Sequence, residues 1–93
     1  MMYLWYIIKC CLSLSVKEKS METLKIFGQR LRTLREEKHL RQADMAEALQ
    51  ITLVHYQRME YGKVNIPSLT LCCLADYFGV TTDYLLGRSE QRS

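Results

Sequence analysis

Two short helical patterns with almost nothing between them constrain the fold of this chain more than any other feature. They lie in ADMAEALQITLVHYQRMEYG, residues 43–62, and the tripeptide QIT separates them. An isolated helix shorter than about 12 residues is marginal in water. We therefore predict that neither half is stable alone and that tertiary packing holds both in place.

The spacing of small and apolar residues across both halves is that of a helix-turn-helix, in which two helices cross at close range. When Gln42 is taken as the first position, the small residue Ala46 stands where the helices cross, and the turn falls at Gln50. Thr52 is predicted to cap the second helix, because its hydroxyl can accept from an early backbone N–H. The residues predicted to face inward are Met45, Leu49, Ile51, Tyr56 and Met59.

An amphipathic pattern precedes this unit. Phe27, Leu31 and Leu34 stand at i, i+4 and i+7, which predicts a helix over residues 24–38 with these side chains on its buried face. Gly62 is predicted to end the third helix, since glycine suits the left-handed position after a helix.

Two more helices are predicted after Gly62, and the fold class that follows is an all-α, compact five-helix bundle. Ser68 is expected to cap the fourth helix, which Gly79 stops, and TDYLL after Thr81 forms the last helix before Gly87. The fourth helix should bury Leu71, Leu74, Ala75 and Phe78. Core or boundary positions are expected for Tyr56, Tyr77 and Tyr84.

Length and composition limit the chain to one small domain. Its 93 residues bury only roughly 60% of the surface that the unfolded chain exposes, which leaves no room for a large active-site cleft. A net charge of +3 permits an anionic partner. We expect no enzyme, no metal and no cofactor, because no catalytic set or metal-ligand spacing is visible. The histidines, His39 and His55, should lie on the surface, and buried or half-buried positions are expected for Cys10, Cys11, Cys72 and Cys73.

The first twenty residues differ from the rest. MMYLWYIIKCCLSL is apolar, but Lys9 interrupts it and it is shorter than the roughly 20 residues of a spanning helix. It also lacks the features of a secretory signal. Three interpretations stay open: an extension upstream of a true start at Met21, an interaction segment of high β propensity, and a weak interfacial anchor. We favour the first, because KEKS before Met21 can be encoded by a purine-rich ribosome-binding sequence, so that the domain spans residues 21–93.

Two longer stretches, RLRTLREEKHLRQADMAEALQIT and YQRMEYGKVNIPSLTLCCLADYFGVTTDYLLGR, resemble a known family. They are similar to the DNA-binding domain of the lambda-repressor-like, Cro/C1-type (XRE) transcriptional regulators, and the resemblance runs from about Phe27 to Arg88. It rests on an arginine before Glu-Glu-Lys, a glutamine that opens the second helix, Glu-x-Gly-Lys after the third helix, and a terminal Asp-Tyr-Leu-Leu-Gly.

The resemblance implies roles for individual residues. Arg35 and Glu60 match a structural ion pair between the first and third helices of the family. Gln42 matches a residue that fixes the second helix against a DNA phosphate, and Lys63 and Asn65 are expected to contact the DNA backbone. Such contacts position the protein, whereas contacts to base edges select the sequence.

The resemblance also implies that base contacts come from the outward residues of the third helix. The chain departs from the family there, because Leu53 and Val54 replace residues that are often polar, so direct readout depends more on Gln57 and Arg58. Gln50 replaces a usual glycine, at a cost of roughly 1 kcal/mol. The DNA-binding residues predicted are Gln42, Thr52, Leu53, Val54, His55, Gln57, Arg58, Lys63 and Asn65. Arg30 and Arg41 are further candidates for phosphate contacts, and Arg32 is expected on a solvated face.

Two classes of function are consistent with these features. The first is a cytoplasmic repressor that binds a palindromic double-stranded DNA operator as a homodimer through Tyr84, Leu85 and Leu86 of the last helix. The second is an interaction module of the same fold, such as an antitoxin bound to a toxin or a regulator bound by an anti-repressor. Only six residues follow Gly87, so we expect no attached sensing domain. No membrane partner is expected.

Overall fold

The structure, a computed structural model, describes the backbone of residues 16–93 and the side chains of residues 21–93. It contains five helices: α1 (Val16–Glu37), α2 (Gln42–Leu49), α3 (Leu53–Glu60), α4 (Ser68–Phe78) and α5 (Thr82–Leu85). Residues 16–93 form no strand. The predicted all-α architecture of five helices is therefore confirmed.

The first helix is longer than its sequence pattern predicted. It begins at Val16 instead of residue 24, so it crosses the predicted boundary at Met21, and it ends at Glu37. The apolar segment before it, with Cys10 and Cys11, lies outside the described residues. A translational start at Met21 stays a prediction, which N-terminal sequencing of the natively expressed protein tests. Among the helices described, none is both long and apolar enough to cross a membrane.

The core forms between the five helices: α3 packs against both α1 and α2, and α5 packs against both α1 and α4. A fully buried apolar side chain of this size contributes roughly 1.5–3 kcal/mol to folding, which explains how helices of eight residues or fewer are held in place. The predicted inward residues Leu49, Ile51, Leu71 and Phe78 are partly buried against this core. The buried apolar residues are Phe27, Leu31, Leu34, Met45, Ala46, Tyr56, Met59, Leu74, Ala75, Tyr84 and Leu85.

The end of α2 and the start of α3 confirm the predicted turn. Gln50 lies in the left-handed region with φ 57° and ψ 42°, and the Thr52 hydroxyl accepts a hydrogen bond from the His55 backbone N–H at 3.1 Å. Only residues 50–52 separate the two helices. The αL turn and the cap together therefore set the direction of α3. His39 also has a positive φ, 57°, which the sequence pattern did not predict.

The start of α4 differs from its prediction. Pro67 occupies the N-cap position and Ser68 is already helical, so no side chain caps this helix. The fixed φ of proline favours this helix start without a capping oxygen. The next two predicted boundaries are confirmed: Gly79 is left-handed at the end of α4, and the Thr81 hydroxyl accepts from the Tyr84 N–H at the start of α5.

Several surface predictions are wrong. Cys72 and Cys73 are exposed free cysteines, and Tyr77 on the same helix is 47% exposed, because α4 places Leu74 and Ala75 against the core instead. Conversely, Tyr84 and Leu85 are buried inside the monomer. They leave little apolar surface on α5, so the predicted dimer contact through this helix is not supported.

Arg30 is not free to contact a phosphate, which corrects another prediction. Its guanidinium donates to the carbonyls of Tyr84 at 2.5 Å and Ser89 at 2.7 Å, and it pairs with Glu90 at 2.9 Å. It also lies over the Tyr84 ring, 4.3 Å from its centroid. These contacts occupy the N–H donors of the guanidinium, and they hold the C-terminal segment against α1.

Candidate nucleic-acid interface

One side of α3 is exposed and carries the residues predicted to contact bases. Leu53 and Val54 are 43% and 56% exposed, although apolar residues of this size are usually buried when a core is available. His55 and Arg58 are exposed and Gln57 is half-buried. The opposite side of α3 faces the core through Tyr56 and Met59. The helix therefore presents a mixed apolar and polar surface to the solvent.

A buried ion pair joins α1 to the end of α3. Arg35 Nε donates to Glu60 Oε2 at 2.6 Å, and Arg35 Nη2 donates to Glu60 Oε1 at 3.2 Å. The third donor, Nη1, bonds the Leu40 carbonyl at 2.7 Å. These hydrogen bonds to Glu60 raise the pKa of Arg35, which keeps the guanidinium charged. The pair holds the end of α3 against α1 at a fixed distance.

Two glutamines continue this network to the solvent. Gln42, the first residue of α2, donates from Nε2 to Glu60 Oε1 at 3.3 Å. Its Oε1 accepts from Gln57 Nε2 at 3.1 Å. Gln42 thus bonds both the buried carboxylate and a residue on the outward side of α3, a connection that sequence spacing did not predict.

An open cleft of about 450 Å³ lies beside the start of α2 and is lined by Arg32, Arg35, Arg41, Gln42 and Tyr61. Three guanidinium groups next to a helix N-terminus favour an anion. Each of these groups also pairs with a carboxylate, which compensates much of the charge. Arg35 pairs with Glu60 at 2.6 Å, Arg32 with Glu36 at 2.9 Å and Arg41 with Asp44 at 3.0 Å. Hydrogen bonds from Arg41 lower the pKa of Asp44, so this carboxylate stays ionised at neutral pH.

The remaining predicted site residues lie at both ends of α3. Thr52 is exposed, and its hydroxyl caps the helix. Lys63 and Asn65 are exposed in the loop after α3, where the Asn65 Oδ1 accepts from the Ile66 N–H at 3.0 Å. The structure therefore brings Gln42 and Gln57 into contact, and it places the other predicted residues on the surface around α3.

Sequence analysis missed two members of the cleft. Tyr61 was not predicted to take part, and it is 58% exposed, although its position directly after Glu60 was a usable signal. Arg32 was assigned to a solvated face, and its pairing with Glu36 fits that assignment, but it also lines the cleft. Its spacing of three residues from Arg35 puts both on neighbouring positions of α1.

Comparison with known proteins agrees with this geometry. A family model described as a helix-turn-helix domain matches residues 26–86. No solved structure gives a significant match.

Two curated proteins are similar to the chain. The SPbeta prophage-derived uncharacterized HTH-type transcriptional regulator YonR of Bacillus subtilis is 41% identical over 61 residues, which cover 66% of this chain and 56% of that protein. The HTH-type transcriptional regulator DdrOP3 of Deinococcus deserti is 46% identical over 59 residues, which cover 62% of this chain and 45% of that protein. The chain thus spans about half the length of these relatives.

The matched region contains all of α2 to α5 together with the part of α1 that packs on them. The helix pair α2 and α3, with the αL turn at Gln50 between them, lies within these matched residues. The chain therefore belongs to the helix-turn-helix domain family.

Proposed function

We propose that this protein is a sequence-specific, double-stranded DNA-binding transcriptional repressor that binds a palindromic operator as a homodimer in the cytoplasm. The observation that carries the proposal is the position of α3, whose exposed side lies next to an arginine-lined cleft at the start of α2. An exposed helix can enter the major groove while neighbouring cations contact phosphates. Both relatives are named as transcriptional regulators, which supports the proposal.

The residues divide into two groups by their position. Gln42, Arg41, Lys63 and Asn65 lie at the edges of the helix pair, where the DNA backbone would pass. The outward residues of α3 are the candidates for base contacts: Arg58 and Gln57 through hydrogen bonds, His55 beside them, and Leu53 and Val54 through thymine methyl groups. Thr52 fixes the start of α3 through its cap. In this proposal the protein acts by binding alone, without catalysis, metal or cofactor.

Paired variants test the proposal. Arg58→Ala should cost roughly 1–3 kcal/mol on the preferred duplex and relax preference at one base pair per half-site. Lys63→Ala should weaken all duplexes alike and reduce the salt slope by about one per subunit. The preferred duplex is first selected from a genomic library, and affinities are then measured across a range of salt concentrations. Equal losses on preferred and random DNA for Arg58→Ala would make Arg58 a phosphate contact and argue for recognition of DNA shape.

A second candidate is an interaction module that binds a protein such as a toxin or an anti-repressor. It is favoured by exposed apolar residues on α4, where Leu69 is 82% and Tyr77 is 47% exposed. The genomic neighbourhood separates the two candidates, because an adjacent small toxin gene favours the antitoxin. Binding to genomic duplexes that is undetectable or independent of salt would also favour this second candidate, since phosphate contacts make DNA affinity strongly salt-dependent.

A further inference from the structure

The outward side of α4 carries a row of three apolar side chains. Leu69, Cys73 and Tyr77 are spaced four residues apart, so they lie along one ridge of the helix surface. Leu69 is 82% and Tyr77 is 47% exposed, and Cys73 between them is an exposed free thiol. The Tyr77 ring is held from the side by the Phe78 ring, with centroids 5.0 Å apart, and by Lys38 Nζ, 5.1 Å from its centroid. This α4 row is therefore an apolar surface in a fixed arrangement, with no charged residue in it.

The α4 row lies on a different helix from the one that DNA is proposed to contact. Three other exposed apolar residues, Leu53, Val54 and Tyr61, belong to α3 or to the arginine-lined cleft. α4 packs against α5, whereas α3 packs against α1 and α2. A protein bound to the α4 row would thus contact a helix that takes no part in the proposed DNA contacts.

The α4 row matches itself under two-fold symmetry. In an isologous pair of antiparallel helices, residues at equal distances on either side of the axis meet each other. With Cys73 at the axis, Leu69 of each chain meets Tyr77 of the other. Such a contact buries apolar area on both chains, and ridges of this spacing interdigitate in the commonest class of packed helices. A second copy of this chain therefore fits the row.

The small side chain at the centre of the row allows the two helices to approach closely. Packed helices lie roughly 8–10 Å apart, and each Cα atom stands about 2.3 Å from its helix axis. The two facing Cα atoms of Cys73 would then be about 3.4–5.4 Å apart. This range overlaps the roughly 4.4–6.8 Å that is usual for disulfides, so the two thiols would lie within bonding reach.

Cys72 cannot serve as the second thiol for Cys73 of the same chain. Neighbouring residues on a helix point about 100° apart, and their Cα atoms are about 3.8 Å apart, which is closer than in ordinary disulfides. While α4 stays helical, Cys73 can form a disulfide only with a thiol outside this helix.

A contact limited to the α4 row is small. α4 has 11 residues, or about 16 Å of helix, and two such helices bury less than the roughly 1,200 Å² of a stable interface. We therefore expect the thiol form to associate weakly. A covalent link makes the association intramolecular and so raises the fraction of dimer.

We propose that a second copy of this chain docks on Leu69, Cys73 and Tyr77, and that a disulfide between the two Cys73 residues covalently links the dimer that binds the operator. The oxidant is a small-molecule disulfide. One Cys73 thiolate attacks it and releases a small thiol, and the other Cys73 thiolate attacks the resulting mixed disulfide and releases the second small thiol. The two protein thiols are oxidised, the small disulfide is reduced, and the two released thiols take up both protons. The part of this inference that concerns the operator rests on the proposed function.

Cross-linking in the absence of DNA tests the docking. In the full chain, Cys10, Cys11 and Cys72 are changed to serine, so that Cys73 is the only cysteine. The folded protein is treated with oxidised glutathione and analysed by non-reducing electrophoresis. The matched control keeps Cys72 and has serine at the other three positions. Dimer should form at least about tenfold faster through Cys73 than through Cys72.

A second pair of variants tests the apolar row itself. Leu69→Gln, in the protein with Cys73 alone, removes the apolar contact with Tyr77 of the second copy and keeps a good helix former without adding charge. It should lower the rate of dimer formation to that of the Cys72 control. Met21→Gln is the control, because Met21 is also exposed, by 52%, but lies on α1. It should leave the rate unchanged.

Binding to the selected palindrome tests the covalent link. The disulfide-linked dimer should bind the palindrome at least about tenfold more tightly than the reduced protein, and dithiothreitol should abolish this gain. The protein with serine at all four cysteine positions should bind equally with and without oxidised glutathione.

Different results overturn different claims. Mixed disulfides of glutathione without dimer, equal rates through Cys73 and Cys72, or an unchanged rate in Leu69→Gln would overturn the docking of a second copy and favour a different protein on the α4 row. A linked dimer that binds the palindrome no better than the reduced protein would overturn the link to operator binding. Failure of the proposed function is distinguishable from both, because no duplex would then be selected, whereas the cross-linking rates do not depend on DNA.

Discussion

At the scale of single residues, the Arg35–Glu60 pair is the interaction whose loss should be most costly. Removing one partner of a buried ion pair leaves the other charge desolvated, at a cost of roughly 3–5 kcal/mol. We expect Arg35→Ala to lower the melting temperature by more than about 10 °C in a domain of this size. Arg32→Ala is the control, since its side chain is 63% exposed and its surface pair contributes about 0–1 kcal/mol. Equal shifts would contradict the assignment of the buried face of α1.

Tyr56 is the second residue with a testable environment. Its ring is fully buried, and its hydroxyl has no hydrogen-bond partner among the residues described. Burial, with a smaller contribution from the nearby Glu60 carboxylate, raises the pKa of Tyr56 above its ordinary value of 10.0. Because an unpaired buried hydroxyl is unfavourable, Tyr56→Phe should keep or slightly raise the melting temperature, and a loss above about 1 kcal/mol would contradict this.

The raised pKa of Tyr56 also predicts the direction of a pH effect. Below pH 10 the tyrosine is neutral in both states and contributes no pH dependence. As the pH rises above 10, the unfolded chain releases the proton while the folded protein retains it, so the free energy of unfolding falls. Urea denaturation between pH 8 and 11 should show this fall, and it should be smaller in Tyr56→Phe. Identical profiles for both proteins would contradict the assignment.

At the scale of helices, Gly28 determines how closely α1 approaches α3. A Cβ atom at this position would collide with the Glu60 backbone carbonyl and would lie 3.0 Å from the Met59 carbonyl oxygen. In an exposed helix, Gly to Ala stabilises by roughly 1 kcal/mol. Here we expect Gly28→Ala to destabilise the protein by about 1–3 kcal/mol, because backbone atoms cannot yield as a flexible side chain can. An unchanged or raised midpoint in urea would show that α1 and α3 separate easily.

The helices also show which features a sequence can predict. Local patterns predicted α2, α3 and the αL turn at Gln50, because their determinants lie within a few residues of each other. The contacts of Arg30 could not be predicted, since Ser89 and Glu90 lie about sixty positions away in the chain and no periodicity connects them. The exposure of Cys72 and Cys73 was missed for a similar reason, because which side of α4 is buried depends on the other helices.

For the candidate site, the positions of the residues were predicted, but the contacts between their side chains were not. The resemblance identified Arg35, Glu60, Gln42 and the outward residues of α3 by position. It did not predict the hydrogen bond from Gln57 to Gln42, because side-chain orientation follows from the buried carboxylate beneath both glutamines. Packing in three dimensions, which no linear pattern contains, decides these partners.

At the scale of the whole molecule, the C-terminal segment is fastened to the rest. Arg92 donates to both carboxylate oxygens of Glu37 at 2.8 and 2.7 Å, and the Arg92 carbonyl accepts from the Thr81 N–H at 2.8 Å. Together with Arg30, these contacts hold residues 88–92 against α1 and α5. None of these contacts involves α3, so within the described residues they leave its exposed side uncovered.

The short length of α3 determines how many protein chains are needed to recognise one DNA site. It has eight residues, or about 12 Å of helix at 1.5 Å per residue, which spans too few base pairs to specify a site in a genome. Two copies whose recognition helices are one helical turn apart, about 34 Å, would contact a palindrome of sufficient length. We therefore expect two protein chains per operator duplex.

Sedimentation of the protein on its preferred duplex measures this ratio. A duplex with one half-site should bind at least about a hundredfold more weakly than the full palindrome, because the second chain and its contacts are lost. Moving the half-sites apart by about five base pairs should weaken binding to a similar degree, since it turns them to opposite faces of the DNA. Moving them by a full turn keeps both on one face and is the control for distance alone. One chain bound with full affinity to a single half-site would mean that the monomer is the functional unit.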